Sequence, residues 1–66
     1  MGFMVELVIE RWSNVDGSSH YLWSVWHDGK RLEMSGRIAA PESAEAQGRA
    51  WCEKSLGRSP DRVTRL

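Results

Sequence analysis

The stretch YLWSVWHDGKRLEMSGRIAA, residues 21–40, decides the fold. Asp28-Gly29 lies between two runs of alternating character, and Asp-Gly is a strong signal for a type I′ hairpin turn, which needs φ > 0 at both central residues. Setting His27 opposite Lys30 places Val25 opposite Leu32, Trp23 opposite Met34 and Tyr21 opposite Gly36. Side chains alternate along a strand, so these residues share one face. Leu22, Ser24 and Trp26 then share the other face with Arg31, Glu33 and Ser35. One face is apolar and the other mixed, so the register is self-consistent.

Upstream, residues 3–12 also alternate. Phe3, Val5, Leu7 and Ile9 fall on one face, with Met4, Glu6, Val8, Glu10 and Trp12 on the other, which reads as a half-buried strand. Residues 13–20 carry turn chemistry and return the chain antiparallel into Tyr21. The third strand is expected from Arg31 to about Ala39, with Leu32, Met34 and Ile38 inward. A helix is expected from Ala40-Pro41-Glu42, with proline at its first position and Glu42 near the positive end of the dipole. Ala44, Gly48, Trp51, Cys52, Ser55 and Leu56 form its inward stripe, Glu45 and Arg49 make an i,i+4 pair, and Gly57 stops it. Glycine inside a helix costs about 1 kcal/mol relative to alanine, so Gly48 marks close approach of helix to sheet. Residues 62–66 have strand propensity; a strand–helix–strand crossover brings them parallel to the third strand, beside the first. The expectation is one α+β domain over residues 1–66: a three-stranded antiparallel sheet, a fourth C-terminal strand and one helix on one face, in the order βββαβ.

The 66 residues hold four tryptophans, of which Trp23 and Trp51 supply core bulk while Trp12 and Trp26 cannot both be inside. A chain of this length buries only about 60% of its unfolded surface, so the core is small. Nine basic residues balance nine acidic ones. A phosphate-binding protein usually carries a basic excess, so this balance weighs against nucleic acid. The single cysteine, Cys52, excludes an intramolecular disulfide. No apolar run approaches the length of a membrane span, and Met1-Gly2 is not followed by the Ser or Thr of a myristoylation signal, Glu6 standing there instead. The expectation is a cytoplasmic protein without membrane attachment.

Chemistry-bearing residues do not converge. His20 and His27 are roughly 23 Å apart on an extended strand and differ in parity, while Cys52 belongs to the helix stripe. A zinc site needs three or four convergent ligands, so no metal and no cofactor is implied. Cys52 reads as a small buried hydrophobe, Ser18-Ser19-His20 as loop polarity, and Glu6 and Glu10 as a solvated face. There is no glycine-rich phosphate loop. These readings point away from an enzyme.

The uncovered sheet face holds Met4, Val8, Trp12, Leu22 and Trp26 among Glu6, Glu10, Arg31, Glu33 and Arg37. Several adjacent apolar residues mark a contact surface, and Trp and Arg are enriched in binding hot spots. Trp12, Leu22, Trp26, Arg31, Glu33 and Arg37 are therefore the candidate partner-binding residues. The plainer reading sets Trp26 against Arg31 as a cation–π pair on ordinary surface. A protein partner is expected, with homodimerisation as a variant that would support so small a core. Single-stranded nucleic acid on the same aromatic and arginine-bearing face is the alternative.

Two resemblances accompany this reading. The β-β-β-α order is similar to the latter part of double-stranded RNA-binding domains, but where those begin the helix with lysines this chain has Pro41-Glu42-Ser43-Ala44-Glu45. The Trp-bearing hairpin, the helix with Ala44-Glu45-Ala46 and Ala50-Trp51, and the closing Val63-Thr64-Arg65 together resemble small phage-encoded inhibitors, namely anti-CRISPR proteins and inhibitors of host RNA polymerase. The likeness spans about Tyr21 to Leu66 and transfers no functional residue. It implies a non-enzymatic inhibitor that occludes a surface of a larger host complex. Many such proteins are acidic mimics of nucleic acid; this chain is neutral, which favours plain surface binding.

Overall fold

A computed structural model describes residues 4–66; Phe3, expected on the inward face of the first strand, lies outside them. The chain runs β1 (Val5–Ser13), β2 (Ser19–His27), β3 (Lys30–Met34), α1 (Pro41–Leu56) and β4 (Arg62–Arg65). The sheet order is β3-β2-β1-β4, with β4 parallel to β1 and the other neighbours antiparallel. This is the α+β architecture expected from sequence, fourth strand included.

Alternation in β1 builds the core. Val5, Leu7 and Ile9 are buried with Trp23 and Val25 of β2 under Ala44, Gly48 and Cys52 of α1. The three helix residues are four apart, so they form one small-residue stripe that lets the axis approach the sheet. A Cβ at Gly48 would overlap Leu7 Cδ1, so the missing side chain makes room for that leucine. Trp51 leans on Trp23 at a 6.2 Å centroid separation and a 43° tilt, while Leu56 closes the end of the cluster. Ser55, expected on this stripe, is exposed instead. Pro41 opens the helix, and Gly57 (φ 71°) ends it in the left-handed region, its N–H bonding to the Glu53 carbonyl.

The Asp28-Gly29 turn forms with φ of 52° and 76°, and His27 faces Lys30 as the turn chemistry requires. Beyond Arg31, the expected register fails. Val25 faces Glu33 rather than Leu32, Ser24 faces Met34, and Tyr21 faces Ile38 rather than Gly36. Two extra residues are absorbed, one at Leu32 and one between Ser35 and Arg37. As a result Leu32 and Met34 are exposed rather than inward, and only Ile38 packs on the core. Hydrogen bonding drives this. Ser35 donates its N–H to the Trp23 carbonyl (2.8 Å) and accepts the Trp23 N–H on Oγ (2.9 Å), while Tyr21 and Ile38 exchange backbone bonds of 2.8 and 2.9 Å. Continuous strand is thereby replaced by a five-residue strand and an isolated bridge.

β4 docks on β1 along Glu6–Ile9. At its start Asp61 clamps Val5: the carboxylate accepts the Val5 N–H (2.7 Å) and the Asp61 N–H donates to the Val5 carbonyl (2.8 Å). That bond, helped by Arg58, holds the Asp61 carboxyl below its ordinary value of 3.8. Past Ile9, β1 loses its β4 neighbour, and the β1–β2 ribbon continues two-stranded to Ser13 and Ser19. The described residues consequently extend 45 × 21 × 15 Å.

Candidate functional site on the open sheet face

The helix covers one face of the sheet. Register places Met34, Ser24, Val8 and Thr64 in one row across the other face, and Arg31, Trp26, Glu6 and Arg62 in the next. Leu22 faces Glu10, and Trp12 faces His20 toward the projecting end. Met4, Trp12 and Met34 are exposed, whereas Val8, Leu22 and Trp26 are half-buried.

Of the residues expected here, Trp12, Leu22, Trp26 and Arg31 share this face. Glu33 does not: the shifted register sets it opposite Val25, whose face is the helix side. Arg37 also stands apart, in the segment after β3. It lines a depression of about 450 Å³ with Ser13, Asn14, Val15, Asp16 and His20. That depression belongs to the β1–β2 turn, where Asp16 accepts both the Ser18 N–H (3.0 Å) and its hydroxyl (2.6 Å), lowering the Asp16 carboxyl. Asn14 donates to Ser18 Oγ (2.8 Å), and its side-chain oxygen accepts a hydrogen bond from His20 Nδ1–H.

Trp26 is held in place by Ser24. Its indole N–H donates to Ser24 Oγ at 2.8 Å, two residues back on the same strand face, and Ser24 is only 5% exposed. The indole therefore lies over the serine instead of standing away from the sheet. Sequence parity placed both residues here but did not reveal this bond; the Ser-x-Trp spacing on one strand face is the signal that carries it. Among the described residues Trp26 makes no cation–π pair, so the Trp26–Arg31 pairing of the plainer sequence reading is not formed. Glu6 Oε2 accepts the Thr64 hydroxyl (2.7 Å) and forms an ion pair with Arg62 Nε (3.6 Å). Beside it, a cleft of about 390 Å³ is lined by Met4, Glu6, Val8, Trp26, Asp28 and Gly29. His27 Nδ1 bonds to the Met4 carbonyl (2.9 Å) and fixes the near wall.

Other chemistry is sparse. Among the described residues no group of three His, Cys, Asp or Glu side chains converges as a metal site. Cys52 is fully buried, and desolvation pushes its thiol above the ordinary 9.0. No helix of the described chain is long and apolar enough to cross a membrane. No protein-family model, curated protein or solved structure matches the chain.

Proposed function

We propose that this domain is a non-enzymatic module that binds a protein through the open face of its sheet, in the manner of a small inhibitor that occludes a surface of a larger complex. The observation that carries this is the pre-set indole of Trp26 near exposed Met4 and Met34, with Trp12 exposed further along the same face, on a side of the sheet that no described element covers. An apolar and aromatic patch of this kind on a small domain is the usual mark of a contact surface. The balance of nine basic against nine acidic residues favours a protein over single-stranded nucleic acid, whose phosphates call for a basic excess. A second copy of the chain is the other protein occupant of this face.

The test is capture by immobilised wild type and by the Trp12→Glu/Trp26→Glu double variant, with circular dichroism establishing that the variant is folded. A partner kept by the wild type and lost by the folded variant supports the reading; equal retention overturns it. Light scattering over a concentration series identifies self-association if the captured partner is the chain itself.

A further inference from the structure

The cleft beside Trp26 has a composition that selects one chemistry. Its walls are an indole, two carboxylates, two aliphatic side chains and a glycine. Among the described residues no basic side chain lines it. The indole N–H is already spent on Ser24 Oγ, so the ring offers a visitor its π surface and not a donor. Among the described residues Asp28 has no hydrogen-bond or ion-pair partner, and both partners of Glu6 bind Oε2, leaving Oε1 uncommitted. Negative π surface and open carboxylate oxygens attract a cation, and tryptophan is the ring that attracts it best. The aliphatic walls, Met4 and Val8, match the methylene stem that lysine and arginine carry behind their charge. A volume of about 390 Å³ leaves ample room for a long side chain.

Resting on the open-face reading, we propose that this cleft takes a single lysine or arginine side chain of a protein partner, seated on the Trp26 indole with its charge toward Asp28 and Glu6 Oε1 and its stem along Met4 and Val8. Arg31 and Arg62 stand on either side in the same row. Arg62 is already paired with Glu6 Oε2 and Arg31 stands opposite Trp26, so a cation is favoured only within reach of Asp28 and Glu6 Oε1, which admits one basic side chain and not a basic tract. The turn contributes directly, because Asp28 occupies the first left-handed position and is thereby held at the mouth of the cleft.

The experiment titrates the isotope-labelled protein with four short peptides, identical except for a central Lys, Arg, Glu or Leu, at millimolar concentration. The readout is the Trp26 indole N–H resonance, assigned by its loss in Trp26→Leu. The Lys and Arg peptides are expected to shift this resonance saturably, and the Glu and Leu peptides to leave it in place. Asp28→Asn, which keeps a residue suited to the left-handed turn position, is expected to weaken binding about three-fold. Absence of a shift with Lys and Arg, or an equal shift with Glu or Leu, overturns the proposal. So does an unchanged affinity in folded Asp28→Asn. A single-stranded oligonucleotide that shifts the indole more strongly than the basic peptides also overturns it, together with the protein-binding reading. A partner captured by wild type and lost by Trp12→Glu/Trp26→Glu, with no basic preference in the titration, leaves the open face standing and removes this inference alone.

Discussion

On the helix side of β1, Val5 and Leu7 are fully buried and Ile9 nearly so. One residue along in each case, Glu6, Val8 and Glu10 face the other way and remain partly in water. The same strand thus builds both a closed interior and an open surface, and the two are organised by different forces. The closed side depends on shape: a leucine enters the gap left by a glycine, beneath an alanine and a cysteine of the same helix stripe. The open side depends on directed polar bonds, from indole to hydroxyl at Trp26–Ser24 and from hydroxyl to carboxylate at Thr64–Glu6. A packed interior tolerates little change of volume, whereas a hydrogen-bonded surface can be altered without unfolding.

Four substitutions or conditions break or sharpen that contrast. Leu7→Ala is expected to be the most damaging, at about 2–5 kcal/mol, because it opens a cavity at the centre of a small core. Urea denaturation measures it. Gly48→Leu acts on the same contact from the opposite direction and should cost about 1–3 kcal/mol by overpacking. Because the two residues touch, Leu7→Ala/Gly48→Leu should lose less than the sum of the single changes, and an additive result would show that the contact is not the reason for Gly48.

Acid comes next. Asp61, held down chiefly by the Val5 N–H, and Glu45, held down by Arg65 and then Arg49, both have depressed folded-state pKa values. Their contribution is therefore complete above the ordinary values of 3.8 and 4.5 and is lost as pH falls through the lower folded-state values. Thermal melts should be flat from neutrality down to about pH 5 and then decline, with a shallower decline in Asp61→Asn. The smallest effect is expected on the open face, where Trp12→Glu should leave stability within about 0.5 kcal/mol of wild type while weakening partner capture. A large loss there would mean that the exposed ring is structural.

Much of this arrangement is legible in the residues themselves, for identifiable reasons. Asp28-Gly29 encodes the hairpin because its backbone preference is local, and both residues do adopt positive φ. Pro41 and Gly57 bound the helix for the same reason. Gly48 announces close packing because its propensity cost has no local explanation. The course of the third strand was not legible. Alternation continues through Leu32 and Met34, but Ser35 and Ile38 find better hydrogen bonds against Trp23 and Tyr21, and the strand bulges to reach them. That competition is tertiary and leaves no trace in period-two patterning. The same shift removed Glu33 from the candidate surface, while Asp28, read only as a turn former, enters the cleft because of where the turn ends. Ser24 was placed on the correct face, but its bond to Trp26 depends on a rotamer that parity does not specify.

The unequal lengths of the strands have a kinetic consequence. β4 leaves β1 at Ile9, and β3 proper pairs no further along β2 than Ser24, with the lone Tyr21–Ile38 bridge beyond. Amides of Leu7 and Val25 therefore lie inside the sheet under the helix, where solvent deuterons reach them only when the whole domain opens. Those near Ser13 and Ser19 belong to a bare ribbon that can unzip from its turn inward without disturbing the core. Exchange rates along β1 should accordingly climb toward Ser13, giving one strand a slow half and a fast half with the boundary near Ile9.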